Sequence, residues 1–445
     1  MKTKSVFGAL FLAAAAVAAV GPAPVRALEP LPEPDWLSRL REAISRAAAR
    51  NPEVAAMEAR ILAARHRVDQ ATALPDPEVE LALKDVPVSS PSLSRDDFTM
   101  ETIAARQRFP GAGKLPAEKR AAEAELEGMA AEHARHVVEI AADVTDSFLR
   151  IASLDRRLAI ARETRQRLSD ALTAARERYA VGKGAQADVL RANLEKTALD
   201  DRLAGLAAER RSEAARANAL QGLPADTQVV PFVVGSDVES RIASRPVPPA
   251  GELLERAERD SAAIAAAAAG VRRGQARLEG ARLERRPDWT VMSYYAHRVS
   301  FEDLAGISVS FGLPWVHPKR LQARQAELEA DLEGARADLS AARNALRRDI
   351  EAASAELARN REQARLYREL ILPQAEINYR AAREAYQVGA IDFLTYVRAA
   401  TDLGIYEAEA VEREAGAARS VAALQKASGL PLIEGTPAPG GSHED

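Results

Sequence analysis

Glu132, His133 and His136 stand close together in the chain, with the two histidines at i and i+3. On a helix that spacing turns both imidazoles to one side, an arrangement by which two ring nitrogens can share a divalent cation. The neighbouring residues are charged, and solvation on an exposed helix face accounts for the pair more simply. Met57, Met100, Met129 and Met292 offer thioethers for a soft metal, but their wide spacing does not describe a relay. The chain has no cysteine, hence no thiolate nucleophile, no disulfide framework and no sulfur to carry a lipid. No paired carboxylates, glycine-rich phosphate loop or Ser/His/Asp set stands in a catalytic context. An enzyme is therefore not expected, nor is a metal or cofactor site.

The elements that carry these residues are long helices. Aromatic residues make up only 4% of the 445 residues, while alanine, leucine, glutamate and arginine dominate. The 61 basic and 65 acidic side chains are interspersed and leave a net charge of −4, which gives no field for nucleic acid. Lys2 and Lys4, an apolar run from Val6 to Val20, and Val25-Arg26-Ala27 read as a secretory signal cleaved after Ala27. No later apolar run approaches the ~20 residues of a spanning helix, so any membrane span must be built from strands.

The chain then repeats itself. RERYAVG at Arg176–Gly182 and REAYQVG at Arg383–Gly389 share Arg-Glu-x-Tyr-x-Val-Gly at an offset of 207 residues. The same offset carries Gly222-Leu223-Pro224 onto Gly429-Leu430-Pro431. Trp36–Ala73 reads as helix broken at Asn51-Pro52. Val79, Leu81 and Leu83 then alternate with polar residues, and a second strand is expected over Phe98–Phe109. Between Pro116 and Pro224 there is no proline, and eleven of thirteen heptad positions from Val137 to Tyr179 are apolar or aromatic, which marks a coiled-coil seam. A helix over Ala117–Ala180 would be about 95 Å long. Gly182 and Gly184 interrupt it before it resumes near Ala187.

After a proline-rich linker the order recurs: a helix over Gly251–Leu283 whose Ala265–Ala269 run suits close packing, then strands at Trp289–His297 and around Ile307–Phe311. Lys319–Ser428 is a helical stretch bent at Val388-Gly389, in which Pro373 should kink or break the first helix. The fold class is thus mainly α with a β-barrel portion, internally duplicated: long antiparallel coiled-coil hairpins plus four strands per chain. Four strands cannot close a barrel, because two edges stay unpaired and lipid does not tolerate them. Three chains would supply twelve, an even number within the outer-membrane range. A helix of about 95 Å exceeds any bilayer and must project beyond it.

Pro75-Asp76-Pro77 before the first strand, Phe109-Pro110-Gly111 and Leu313-Pro314 after the second strand of each half, and the twin Tyr-x-Val-Gly bends resemble the TolC family of outer-membrane efflux proteins. The likeness covers roughly Trp36–Pro431. Asp85-Val86-Pro87, Arg95-Asp96-Asp97, Gln107 and Pro110-Gly111-Ala112-Gly113-Lys114 resemble its heavy-metal exporter branch. The resemblance implies a homotrimer with a twelve-stranded barrel in outer-membrane lipid and a twelve-helix periplasmic tunnel. It also implies a periplasmic adaptor and an inner-membrane pump of the resistance-nodulation-division type as partners. A periplasmic coiled-coil adaptor or scaffold without a pore is the alternative; it would need no duplicated strand pairs.

The implied organisation is a signal peptide over 1–27, an N-terminal periplasmic segment and helix over 28–75, and a first outer-membrane strand pair over 76–109. A first periplasmic hairpin over 110–224 and a linker over 225–250 follow. The second repeat has a helix over 251–286, a strand pair over 287–314 and a hairpin over 315–431, and a disordered tail occupies 432–445. By the same resemblance Val181, Gly182, Lys183, Val388, Gly389 and Ala390 form hairpin tips that dock the adaptor. Tyr179, Asp188, Tyr386 and Thr395 are candidates for the tunnel aperture. Two readings of the tyrosines stay open, an aperture or the end of the heptad seam. Asp188 either joins an acidic ring or lies on a solvated face, and Thr395 at the matching position of the second half departs from a full ring of acids.

Overall fold

The computed structural model of the chain describes residues 36–89, 91–182, 184–230 and 238–433. The expected signal peptide, Lys183, residues 231–237 of the expected linker and the expected tail from residue 434 onward lie outside the described residues. Two helices open the described chain, α1 (Trp36–Arg50) and α2 (Pro52–Gln70). Asn51 separates them: its side chain accepts a hydrogen bond from Glu53 N at 2.8 Å, and Pro52 takes the first helical position, where its missing N–H costs nothing.

Strands β1 (Glu78–Lys84) and β2 (Met100–Phe109) lead into α3 (Lys114–Ala180), whose 67 residues span about 100 Å. It starts before Pro116, not after it, because a proline is accommodated in the first turn of a helix. The heptad seam is buried at Ile140, Val144, Ile151, Leu154, Leu158, Leu168, Leu172 and Ala175, against α4 (Gln186–Leu220) and the second repeat. The linker holds a short helix, α5 (Val238–Ala243), and Glu239 on it is fully buried.

The single helix expected over Gly251–Leu283 is two, α6 (Ala250–Asp260) and α7 (Ala262–Leu283). Ser261, at ψ 124°, ends one and begins the next, because its extended backbone interrupts the helical run. Strands β3 (Trp289–His297) and β4 (Leu304–Phe311) follow, then α8 (Pro318–Leu366), α9 (Leu372–Gln387) and α10 (Phe393–Ser428). Pro373 does not break the run. A π-helical turn over Tyr367–Ile371 lies just ahead of it, and its wider winding relieves the clash that the proline ring would have with a preceding carbonyl.

The main core lies where both repeats meet, with Leu40 and Ile44 of α1, Val144 and Ile151 of α3, Leu253 of α6, Ile350 of α8 and Leu424 of α10. Each such side chain contributes about 1.5–3 kcal/mol by leaving water. The duplication extends to how each hairpin ends. Asn218 Nδ2 donates to Thr227 O at 2.8 Å, and its repeat counterpart Gln425 accepts from the N–H groups of Leu432 and Ile433 at 3.0 and 2.9 Å.

The sheet has the order β1-β2-β3-β4 with every pair antiparallel, so β1 and β4 are open edges. The chain is therefore mainly α, internally duplicated, with one four-stranded sheet and long helical hairpins. No helix among the described residues is long and apolar enough to cross a membrane.

Candidate functional site

Two regions follow from this frame: the sheet at one end of the long helices and the hairpin tips at the other. On the sheet, Phe109, Trp289 and Phe311 fall in one cross-strand row, and the Phe109 and Trp289 rings stack with centroids 4.6 Å apart. Register then puts Val79, Leu81, Leu83, Ile103, Val291, Tyr295, Ile307 and Val309 on the same face as that row. The opposite face carries Glu78, Glu80, Lys84, Arg106, Arg108, Thr290, Ser308 and Ser310. The apolar face is open to solvent in the single chain: Leu81 is 76% and Ile307 78% exposed. An aromatic row beside an apolar band, backed by a polar face, is the pattern of a lipid-facing barrel wall.

Below the aromatic row Asp288 ties the sheet to the first long helix. Its carboxylate accepts from Gly111 N at 2.8 Å, Lys114 Nζ at 2.6 Å and Arg108 Nη2 at 2.6 Å. These donors come from the end of β2, the turn after it and the first residue of α3, so one acid fixes strand to helix across the repeat boundary.

At the other end, the α3–α4 and α9–α10 bends contain Gly182 at φ 70° and Gly389 at φ 79°. Both are in the left-handed region that L side chains avoid, which is why the shared motif ends in glycine. Val181, Gly182, Val388 and Gly389 are exposed, as is Ala390, so five of the six expected tip residues form an open surface; the sixth, Lys183, is outside the described residues.

The two tyrosines of the shared motif separate. Tyr179 is 49% exposed, whereas Tyr386 is 6% exposed and lies inside the chain's own packing. The Tyr386 ring stacks on Tyr396 with centroids 5.2 Å apart and meets Phe393 edge-on at 5.6 Å. Burial raises the Tyr386 phenol above its ordinary pKa, with Arg178 pulling the other way. Of the aperture candidates, Tyr386 is packed within the chain, in one apolar cluster with Leu168, Leu172 and Val397. Sequence spacing made the two copies look alike because it cannot register that Phe393 and Tyr396 follow only the second bend.

Asp188 and its repeat counterpart Thr395 both stand in the first turn of a helix. Asp188 is the third residue of α4, and its Oδ2 accepts from Ala185 N at 3.4 Å. Thr395 holds the equivalent third position of α10, exposed, and its N–H donates to Asp392 Oδ1 at 2.7 Å. The acid of the second bend is therefore present but displaced by three residues, to the N-cap. Hydrogen bonds from Thr395 hold the Asp392 carboxyl below its ordinary pKa. Sequence reading missed Asp392 by looking only at the position matching Asp188; the Asp-x-x-Thr spacing before a helix was the available signal. It also missed Arg178, which joins the two bends.

His133 and His136 are not on an open face. Their side chains are 26% and 17% exposed beneath α2. His136 Nε2 stands 3.1 Å from Glu53 Oε2, and His133 Nε2 stands 3.9 Å from Glu58 Oε1. The two rings address different carboxylates, and among the described residues no cluster of three or more potential ligands could hold a metal. Met57 and Met129, distant in sequence, line one hollow of about 730 Å³ between α2, α3 and α7, with Ala266, Ala269 and Gly270.

A sequence profile of outer membrane efflux proteins matches residues 43–223, most of the first repeat. The cobalt-zinc-cadmium resistance protein CzcC of Cupriavidus metallidurans is 27% identical over 359 residues, covering 80% of this chain and 81% of the relative. Among solved structures, the outer-membrane channel OprN superposes with a TM-score of 0.75 at 17% identity, over 90% of this chain and 91% of that one. VceC from Vibrio cholerae superposes with a TM-score of 0.74 at 19% identity, over 88% and 96%. The first repeat thus matches the sequence profile of outer membrane efflux proteins, and the duplicated strand-pair and hairpin architecture has the fold of these solved outer-membrane channels.

Proposed function

We propose that the chain is the outer-membrane exit duct of a tripartite efflux system, working as a homotrimer whose cargo is divalent heavy-metal cations. The observation that carries this reading is the sheet: one apolar face bordered by Phe109, Trp289 and Phe311, one polar face, and two open edges. A sheet with open edges is untenable in lipid, and three copies supply the twelve strands of a closed barrel. The polar face then lines an aqueous lumen. The helices, about 100 Å long in the case of α3, extend the lumen across the periplasm.

In this reading the tips at Val181, Gly182, Lys183, Val388, Gly389 and Ala390 receive a periplasmic adaptor, and an inner-membrane pump of the resistance-nodulation-division type supplies the energy. Tyr179, Asp188 and Thr395 belong to the aperture, with Tyr386 as the packing behind it. The duct performs no chemistry of its own. The likeness to CzcC supports metal cations over organic drugs as cargo. A pore-free adaptor leaves the apolar sheet face without a purpose.

The test is a deletion strain. Loss of resistance to cobalt, zinc or cadmium salts, restored by the wild-type chain and not by a chain lacking 77–109, is the expected result. Drug sensitivity with unchanged metal resistance would move the cargo to organic molecules. A water-soluble monomer in fractionated cells would overturn the channel itself.

A further inference from the structure

The hollow that Met57 and Met129 share is walled by four helices, α2, α3, α7 and α8. Its volume of about 730 Å³ falls within the roughly 300–1,000 Å³ of small-molecule sites. The alanine run of α7 makes room for it: Ala263, Ala266, Ala267 and Ala269 end in methyl groups and leave space that longer side chains would fill. Where α7 touches α3 the floor is tight, since a Cβ added at Gly128 would stand 3.5 Å from the Ala269 Cβ. Beside that contact the wall recedes, and a Cβ at Gly270 would meet nothing within 4 Å. The thioethers of Met57 and Met129 complete an apolar lining that adapts to what it meets.

The charges around the hollow do not cancel. Both acids that line it are already engaged: Glu125 by Arg67 at 2.9 Å, and Glu132 by Arg135 at 2.8 Å. Arg60 and Arg273 are left over. Neither side chain makes an ion pair or a hydrogen bond among the described residues, and Arg273 is only partly exposed. A guanidinium drawn partly out of water without an acceptor gives up solvation for nothing in return, and its planar fork of donors matches a carboxylate or sulfonate.

We propose that this hollow binds an amphipathic organic anion, an apolar ring system bearing one carboxylate or sulfonate, with the rings on the alanine and methionine wall and the anionic group on Arg273 and Arg60.

Each half of that ligand answers a different part of the wall. The methyl and thioether surface rewards burial of apolar area and offers nothing to a small inorganic anion. The two arginines reward a charged group and offer nothing to a neutral hydrocarbon. A divalent cation is the wrong ligand here, because both lining acids are paired and the charges left unpaired are positive. The site is therefore separate from the metal cargo proposed above, and its arginines and apolar wall stand whether or not that cargo is correct.

A chain without cysteine lets a single reporter be placed in the hollow. The full chain carrying Ala266→Cys is held in membranes and labelled with N-ethylmaleimide, alone, with naphthoate, or with naphthamide, the uncharged compound of the same shape. Naphthoate should slow labelling about fivefold and naphthamide hardly at all, because only the carboxylate takes charge-assisted hydrogen bonds from the arginines. Adding Arg273→Gln should raise the naphthoate concentration needed by about tenfold, the loss of one hydrogen bond to a charged group, and Arg60→Gln should act in the same direction. Gly270→Leu keeps the helix, since leucine is the better helix former, and should abolish protection by filling the space. Protection by neither compound, equal protection by both, or naphthoate protection that survives both arginine substitutions overturns the proposal. So does a cysteine that no reagent reaches in the membrane and that reacts once the protein is dissociated, which would show the hollow filled by another copy.

Discussion

The guanidinium of Arg178 lies 4.9 Å from the centre of the Tyr386 ring, and its Nη1 donates to the Tyr386 carbonyl oxygen at 2.8 Å. One side chain near the end of α3 thereby fastens the tip of the other hairpin. A cation over an aromatic face and a charge-assisted hydrogen bond together are worth about 2–4 kcal/mol. Arg178→Ala should free the two tips from each other. The expected readout is faster hydrogen exchange over residues 175–182 and 384–396 with the core at α1 and α10 unchanged. Exchange at wild-type rates in both segments would show the contact to be idle.

Gly182 and Gly389 both need positive φ, so any L residue there costs roughly 1–2 kcal/mol, and a charged one also alters the surface offered to a partner. Gly182→Asp and Gly389→Asp should each abolish efflux while leaving the trimer band intact, because the bends lie at the far end of the helices from the sheet. Growth assays on metal salts, run beside unboiled gels, check this. Wild-type resistance in both variants would remove the tips from the docking surface.

Tyr179 and Tyr386 share a motif and differ in burial, which makes their variants a matched pair. Tyr386→Ala empties a site packed by Phe393 and Tyr396 and should destabilise the tip by about 3–5 kcal/mol. Tyr179→Ala removes a half-exposed ring and should change stability by no more than about 0.5 kcal/mol. Limited proteolysis at the tips distinguishes them. Equal protection of the two variants would contradict the packing described for Tyr386.

These residues show where the sequence was informative. The heptad seam, the two strand pairs and the glycine bends could be read because each imposes a local rule: a period of seven, a period of two, or a backbone region open to few residue types. Partners across elements follow no such rule. Nothing near His136 in sequence announces Glu53 on α2, and nothing near Arg178 announces Tyr386. The break at Ser261 was hidden because the residues on both sides are good helix formers and only one hydroxyl marks the cap. Pro373 was visible, but a π-helical turn that absorbs it depends on the packing of its neighbours.

Asp146 accepts from Arg419 Nε at 2.6 Å and Arg150 Nε at 2.8 Å between the two repeats. Burial alone would raise its carboxyl, yet the two arginines outweigh that and hold its pKa below the ordinary 3.8. A depressed folded-state pKa contributes stability that is fully present above the unfolded value and is lost as pH falls through the folded value. Acid should therefore weaken the wild type progressively below about pH 3.8, and Asp146→Asn should flatten that part of the curve. At neutral pH the variant should be less stable by about 1.5–3 kcal/mol, the worth of hydrogen bonds to a charged group. Thermal unfolding of the purified protein at pH 7 and pH 3 measures both; parallel curves would remove Asp146 from the acid response.

Asp188 and Asp392 offer the strongest test of the aperture. A trimer would bring six carboxylates around one axis, three from each bend, and a narrow passage ringed by acids favours cations. Both acids also cap helices, so alanine would confuse charge with folding. Asparagine separates the two roles, since it carries no charge, caps about as well as aspartate at the N-cap position of Asp392, and keeps an acceptor oxygen for Ala185 N at position 188. In planar bilayers the Asp188→Asn, Asp392→Asn double variant should lose cation preference severalfold. The loss should be larger at ~0.1 M salt than at ~1 M, where the screening length shrinks from about 10 to about 3 Å. A reversal potential unchanged at both salt concentrations would leave the acids as helix caps alone and would place the cation filter, if the duct has one, on the polar face of the sheet.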